Sequence, residues 1–118
     1  MESGKGAELR ERVFEFGVAV LGMHRFYYRR EPSLRGATQQ ASAAATSIGA
    51  NLEEADAGQS RADFTSKCNI ALKEARETRY WLRIVARFAP SSRMDELVAE
   101  STELIAILTA IVRKSRNK

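Results

Sequence analysis

With 118 residues, 44% hydrophobic and 29% charged, the chain has the size and balance of one folded domain, which excludes a disordered or low-complexity polymer. A formal net charge of +4 and a sequence pI near 9.6 permit a polyanionic partner without demanding one. The single cysteine, Cys68, excludes an intrachain disulfide and fits a reducing compartment, and no apolar run reaches membrane-span length, so a cytoplasmic protein without membrane contact is expected.

Residues 1–6 read as a flexible leader ahead of one domain over 7–118. The opening run MESGKGAELRERVFEFG carries charges where a secretory signal needs apolar residues. Leu9, Val13, Phe16, Val20, His24 and Tyr27 then recur at three- and four-residue steps, predicting a first helix from about residue 7 to 30. Pro32 disfavours helix at Glu31, and Ser33 is the candidate cap of a second helix. Leu34, Ala37, Ala41, Ala45, Ile48, Leu52 and Ala55 form a narrow stripe of mostly small residues, which predicts that this second helix approaches its neighbours closely. Gly58 is placed to end it in a left-handed conformation, and Ser60 with Asp63 forms a capping box for a third helix. A turn this short makes the second and third helices antiparallel neighbours.

The third helix carries the cleanest period. Phe64, Cys68, Ala71, Ala75, Thr78, Leu82, Val85 and Ala89 alternate steps of four and three, the spacing of helices that cross at a shallow angle. Beside them runs a second stripe, Lys67, Ile70, Glu74, Glu77, Trp81, Ile84 and Phe88. After APSSRMD, where Pro90 breaks the pattern and Ser92 with Asp95 suggests a capping box, a fourth helix presents Leu97, Val98, Leu104, Ile105, Ile107, Leu108, Ile111 and Val112. That face is wider than one bundle seam needs, which fits either a deeply buried helix or one whose face in part joins subunits, and the second is the expectation adopted. The fold expected is all-α, an antiparallel up-down-up-down four-helix bundle that assembles as a homo-oligomer.

Residues able to do covalent chemistry are few. His24 is the one histidine and lies on the first apolar stripe, while Cys68 sits inside the best heptad stripe as a core thiol. Glu74-x-x-Glu77 lacks the histidine of a di-iron helix motif and has no second copy. No phosphate loop or Cys-x-x-Cys occurs, so no enzymatic activity, metal or cofactor is expected.

Arginines give the stronger pattern. Arg76, Arg79, Arg83 and Arg87 form a ridge along the third helix, and Arg25, Arg29, Arg30 and Arg35 surround the first turn. An antiparallel bundle brings that turn and the end of the third helix to one pole, where Arg93 joins them. Two readings stand side by side. In one the arginines pair with Glu31, Glu77, Asp95 and Glu96 or stay solvated; in the other the pole binds phosphate backbones, with Tyr27, Tyr28 and Tyr80 available for stacking. Arg113, Lys114, Arg116 and Lys118 make a separate basic tail at the opposite pole.

The stretch TSIGANLEEADAGQSRADFTSKCNIALKEARETRYWLRI, 46 to 84, closely resembles the bacterial 23S rRNA intervening-sequence proteins, through Ser47-Ile48 with Asn51, the Ser60 to Phe64 helix start, and Glu74-x-x-Glu77 with Tyr80-Trp81. The resemblance implies a four-helix bundle assembled as a homopentameric barrel, without enzymatic activity. It also implies kinship with the accessory protein of diversity-generating retroelements, which binds nucleic acid and a reverse transcriptase. This sequence departs from the family pattern in QQASAAAT, where Ser42 and Ala43 stand at positions that carry arginine in many relatives, and at Ala55, where many have glycine. Nucleic-acid contacts are therefore expected at Arg25, Arg29, Arg30, Arg79, Arg83 and Arg87. Asn51, which lies on an edge of the second helix's packed face with Glu54, is expected to join Glu74 and Glu77 in a polar network that fixes helix register. The alternative to an RNA- or DNA-binding oligomer is a protein-interaction scaffold with no nucleic-acid role.

Overall fold

The computed structural model describes residues 4–117, and among them all regular structure is helical: α1 (Gly4–Arg30), a 3-10 turn (Pro32–Leu34), α2 (Arg35–Asp56), α3 (Arg61–Phe88) and α4 (Ser92–Arg116). Gly4 to Gly6 thus form the first turn of α1, ahead of the expected start, and residues 1–3 of the expected leader lie outside the described part. The rod measures 47 × 22 × 20 Å, close to the length of its longest helix at about 1.5 Å per residue.

Pairings across the seams establish the topology. Gly17 of α1 faces Ala45 and Thr46 of α2, Gly49 faces Val13, and His24 meets Thr38, so numbers fall on one helix as they rise on the other. Lys67 pairs with Glu54 across α2 and α3, and Thr65 bonds Ser115 across α3 and α4. Arg12 meets Glu100 and Glu103, and a side chain at Gly22 would meet Arg93, which makes α1 and α4 antiparallel as well. The result is an up-down-up-down bundle. Its core holds Met23, Ile48, Leu82, Met94, Leu104 and Leu108, all fully buried, each contributing about 1.5–3 kcal/mol over its exposed state.

Helix ends follow local chemistry, with three differences from expectation. Glu31 leaves the helical conformation before Pro32, and the chain re-enters through the 3-10 turn, so Ser33 caps nothing and α2 begins without a side-chain cap. Gly58 is not left-handed, since no described residue has positive φ; its N–H bonds the Ala55 carbonyl at 3.2 Å. A Cβ there would lie 3.2 Å from that oxygen and 3.3 Å from the Asp63 Cβ, so a side chain would fit the tight turn only if these neighbours shifted by a few tenths of an ångström. Ser60 does cap α3, accepting from the Asp63 N–H at 3.1 Å. At α4 the cap is Ser91, which accepts from the Met94 N–H at 3.1 Å, while Ser92 is the first helical residue. Ser91 adopts the extended geometry a cap needs, and Met94 turns fully inward.

Much of the wide apolar face of α4 packs inside the protomer. Leu97, Leu104, Leu108 and Val112 are buried, while Val98, Ile105, Ile107 and Ile111 are half-buried. Val98, Ile105 and Ile111 pack on the core, and Ile107 and Ile111 line an open cleft of about 540 Å³ between the start of α1 and the end of α4. The surplus apolar surface instead belongs to α1, where Phe14, Val18 and Leu21 are exposed at helical spacing. Packing on α2 uses the face through Val13, Gly17 and Val20, which leaves this neighbouring stripe uncovered.

Candidate nucleic-acid interface

The turn after α1, the C-terminus of α3 and the N-terminus of α4 meet at one end of the rod. That end gathers Arg25, Arg29, Arg30, Arg35, Arg83, Arg87 and Arg93, all exposed except the half-buried Arg35. Arg29, Arg30 and Arg87 lie in last helical turns, where they complement the negative end of the helix dipole.

Carboxylate pairing lies elsewhere. Arg10 pairs with Asp56 at 3.1 Å, Arg12 with Glu100 and Glu103 at 2.7 Å each, and Lys67 with Glu54 at 2.7 Å. Among the described residues no ion pair within 4.0 Å involves any arginine of the pole, and Glu31, Glu77, Asp95 and Glu96 hold none of them. Two of these arginines are organised by aromatic rings instead. The Arg30 guanidinium stacks 4.1 Å from the Phe26 ring centre and donates to the Phe26 carbonyl at 2.9 Å. Arg35 stacks 4.1 Å from the Tyr28 ring and donates to the Tyr28 carbonyl.

Arg79 departs from the ridge. It lies about four turns beyond Thr65, whose hydroxyl bonds Ser115, and so takes the edge of α3 that faces α4. It is half-buried there, with its Nε buried and unbonded, whereas Arg76, Arg83 and Arg87 are exposed.

The expected register network divides into separate local contacts. Asn51 Nδ2 donates to the Ser47 carbonyl at 2.9 Å and the Ser47 hydroxyl at 3.2 Å, within its own helix. Glu54 binds Lys67, and Glu77 accepts from the Trp81 indole N–H at 3.2 Å. Glu74 is half-buried, and desolvation, followed by the nearby charge of Glu77, holds its carboxyl above the usual range against a smaller opposing effect of Lys73. No hydrogen bond joins these four side chains into one system, because serine lies within an asparagine's reach one helical turn away.

His24 and Cys68 sit at different ends. The His24 Nδ1 lies 2.6 Å from the hydroxyl of fully buried Thr38, and its ring meets Tyr28 edge-on at 5.6 Å. Cys68 lines the far cleft, and burial pushes its thiol up to about 11, which leaves little thiolate near neutrality. Among the described residues no three His, Cys, Asp or Glu side chains converge on a metal position, and no helix is long and apolar enough to cross a membrane. The basic tail expected from the sequence follows the far end of α4 through Arg113, Lys114 and Arg116, and Lys118 lies outside the described residues.

One contact that periodicity does not reveal is the Arg12 clamp. Nε and Nη2 grip Glu100 at 2.7 Å each, and Nη2 also reaches Glu103 at 2.7 Å. These bonds, to Glu100 first and then Glu103, raise the guanidinium above the ordinary arginine value. The i, i+3 spacing of Glu100 and Glu103 is visible in the sequence, but the partner 88 residues away is not.

A helical rod that gathers seven arginines without ion pairs at one end, and a second basic run of Arg113, Lys114 and Arg116 at the other, defines a small all-α bundle protein with basic ends. The chain belongs to the 23S rRNA-intervening sequence protein family, matching it over residues 8–110. It is similar to a crystal structure of a protein with unknown function from the S23 ribosomal protein family of Bacteroides thetaiotaomicron. Identity there is 37% and the TM-score 0.79, with 87% of this chain and 96% of that chain covered. No curated protein matches the sequence.

Proposed function

We propose that this chain is a non-enzymatic, homo-oligomeric member of the intervening-sequence family, probed best as a cytoplasmic RNA- or DNA-binding protein. The observation that carries the reading is the set of arginines at one pole with no carboxylate partner among the described residues. An unpaired guanidinium keeps its full charge for a phosphate, and release of condensed counterions drives the association. Arg25, Arg29, Arg30, Arg83 and Arg87 are the contacts proposed; Arg79, half-buried, acts less directly. Affinity for RNA measured across a salt series is the test. Binding should weaken linearly on a log-log scale, with a slope reduced by about 0.7–0.9 for each phosphate-contacting arginine replaced by glutamine. Absent or salt-insensitive binding would overturn the reading.

Assembly is proposed through α1, with the pentamer implied by the family as the expected state. Phe14, Val18 and Leu21 border a groove of about 410 Å³ with Thr46, Gly49 and Ala50 of α2, a mainly apolar surface with Arg10 and Glu53 among its lining residues, open to a second copy. Val18→Glu with Leu21→Glu should yield monomers by mass measurement; intact oligomers would refute this interface. The same exposed stripe supports the second reading, a protein-interaction scaffold whose partner could be a protein such as a reverse transcriptase. Charge reversal at Arg83 and Arg87 would then leave partner binding intact.

A further inference from the structure

We infer that the C-terminal turns of α1 form a stacking site for unpaired bases, so that the nucleic acid taken by the basic pole is single-stranded; this deepens the proposed function and rests on it. Phosphate attraction alone would need only arginines in water. Here the pole also exposes large rings, Phe26 at 43%, Tyr28 at 47% and Phe88 at 75%. Burial of such rings is strongly favourable, and within the protomer Phe26 and Tyr28 are covered on one face only, while Phe88 is mostly exposed.

The rings are also prepared for the task. Phe26 and Tyr28 each carry a guanidinium on one face, 4.1 Å from the ring centre. Each stacked arginine is further tied to a backbone carbonyl, Arg30 to Phe26 and Arg35 to Tyr28. Neighbouring edge-on contacts, Phe26 with Tyr27 at 5.1 Å and His24 with Tyr28 at 5.6 Å, restrict ring rotation. A planar guanidinium on a ring offers a base a second flat, polarisable surface while its outward N–H groups remain free for phosphate. Between these groups lies a surface notch of about 330 Å³ lined by His24, Arg25, Phe26, Tyr28, Arg29 and Arg30. Aromatic rings and cations share its walls, the combination that single-strand binders use.

Duplexes cannot use this arrangement. Their bases are already stacked and paired, so only the backbone would reach the arginines, and the rings would stay in water. The pole should therefore prefer single strands, tolerate any base, and lose that preference when the rings are removed.

Fluorescence anisotropy with a short labelled RNA of mixed sequence, single-stranded or annealed to its complement, tests this on the full chain at fixed salt. Phe26→Ala with Tyr28→Ala should weaken single-strand binding about 5- to 150-fold for each stacked base lost, and leave duplex binding nearly unchanged. Arg25→Gln with Arg29→Gln should weaken both forms to a similar degree. Both pairs of positions are exposed, and circular dichroism and mass measurement confirm that the variants fold and assemble. Equal binding of the two forms, or unaltered single-strand binding by the ring variant, overturns the inference and leaves electrostatic binding standing. Loss of assembly in the ring variant with RNA affinity retained assigns the rings to a subunit contact and also overturns it. Failure of both RNA forms to bind at low salt overturns the inference together with the proposed function.

Discussion

The Arg12 clamp spans the seam where α1 and α4 touch least, so its energy should be measurable with little interference. Nε and Nη2 form two bonds of 2.7 Å to Glu100, with side-chain exposures of 37% for Arg12 and 29% for Glu100; Glu103, at 67%, is largely hydrated. Charge-assisted bonds contribute about 1.5–3 kcal/mol when shielded, and exposed pairs about 0.2–1 kcal/mol. The two-pronged, half-shielded Glu100 contact should fall between, near 1–1.5 kcal/mol, and the Glu103 contact below about 0.5 kcal/mol. Urea unfolding of wild type, Arg12→Ala, Glu100→Ala and the double variant gives the coupling directly, and a second cycle with Glu103→Ala gives the other arm. Arg12→Ala alone should lower Tm by about 4–8 °C for each kcal/mol lost. High salt should reduce the Glu103 coupling first. A Glu100 coupling within about 0.3 kcal/mol of zero, or a Glu103 coupling larger than that of Glu100, would refute the reasoning.

Three further outcomes concern single positions. A Cβ at Gly17 would stand 3.7–3.8 Å from Thr46 and Ala45, ordinary contact distance, so Gly17→Ala should raise stability by about 0.5–1 kcal/mol through helix propensity, read by thermal melting; destabilisation would show that the seam cannot accept a methyl. Cys68 has its proton held from an ordinary value of 9.0 up to about 11, so the unfolded chain releases it first. Between those pH values wild type should lose up to about 2–3 kcal/mol more than Cys68→Ala, as the linkage relation requires; parallel pH curves would count against it. Glu74 is raised by desolvation and by Glu77, so its charge costs stability above the carboxylate range. Glu74→Gln should raise Tm at neutral pH, with the gain vanishing in acid where both forms are uncharged.

Legibility in the sequence was greatest for whatever depends on neighbours within a turn or two. The α3 stripe is buried from Cys68 through Thr78 and Leu82 to Val85, and the Ser60 cap and breaks at Pro32 and Pro90 fall where local chemistry put them. Cap choice between Ser91 and Ser92 was not legible, since both side chains can accept the bond and the inward turn of Met94 decides. Edge placement on α2 suggests that Asn51 reaches across a seam, yet Ser47 offers two acceptors on its own helix. Hydrophobic breadth on α4 fits both a buried helix and a subunit contact, because periodicity counts apolar residues without showing how many neighbours cover them. The charged pole is predictable from antiparallel topology alone. Its lack of carboxylate partners is not, because side-chain reach decides whether Glu31 or Glu96 meets an arginine, and here neither does.

The positions of the two unpartnered surfaces matter for how an assembly would work. Phe14, Val18 and Leu21 occupy the flank of α1, whereas Arg25, Arg29 and Arg30 occupy its last turns. One helix therefore carries an exposed apolar stripe along its side and unpaired charge at its tip. Copies joined by their flanks would stand side by side with the tips presented together, so the proposed assembly and the proposed binding would not compete for surface. Each added copy would instead place another set of unpaired guanidinium groups in the same rim. Weak contacts at single tips would then act at high effective concentration on one strand, so the monomeric Val18→Glu, Leu21→Glu variant should lose affinity for long RNA far more than for RNA that spans one tip. Equal losses would mean that the apolar flank and the charged tip act independently.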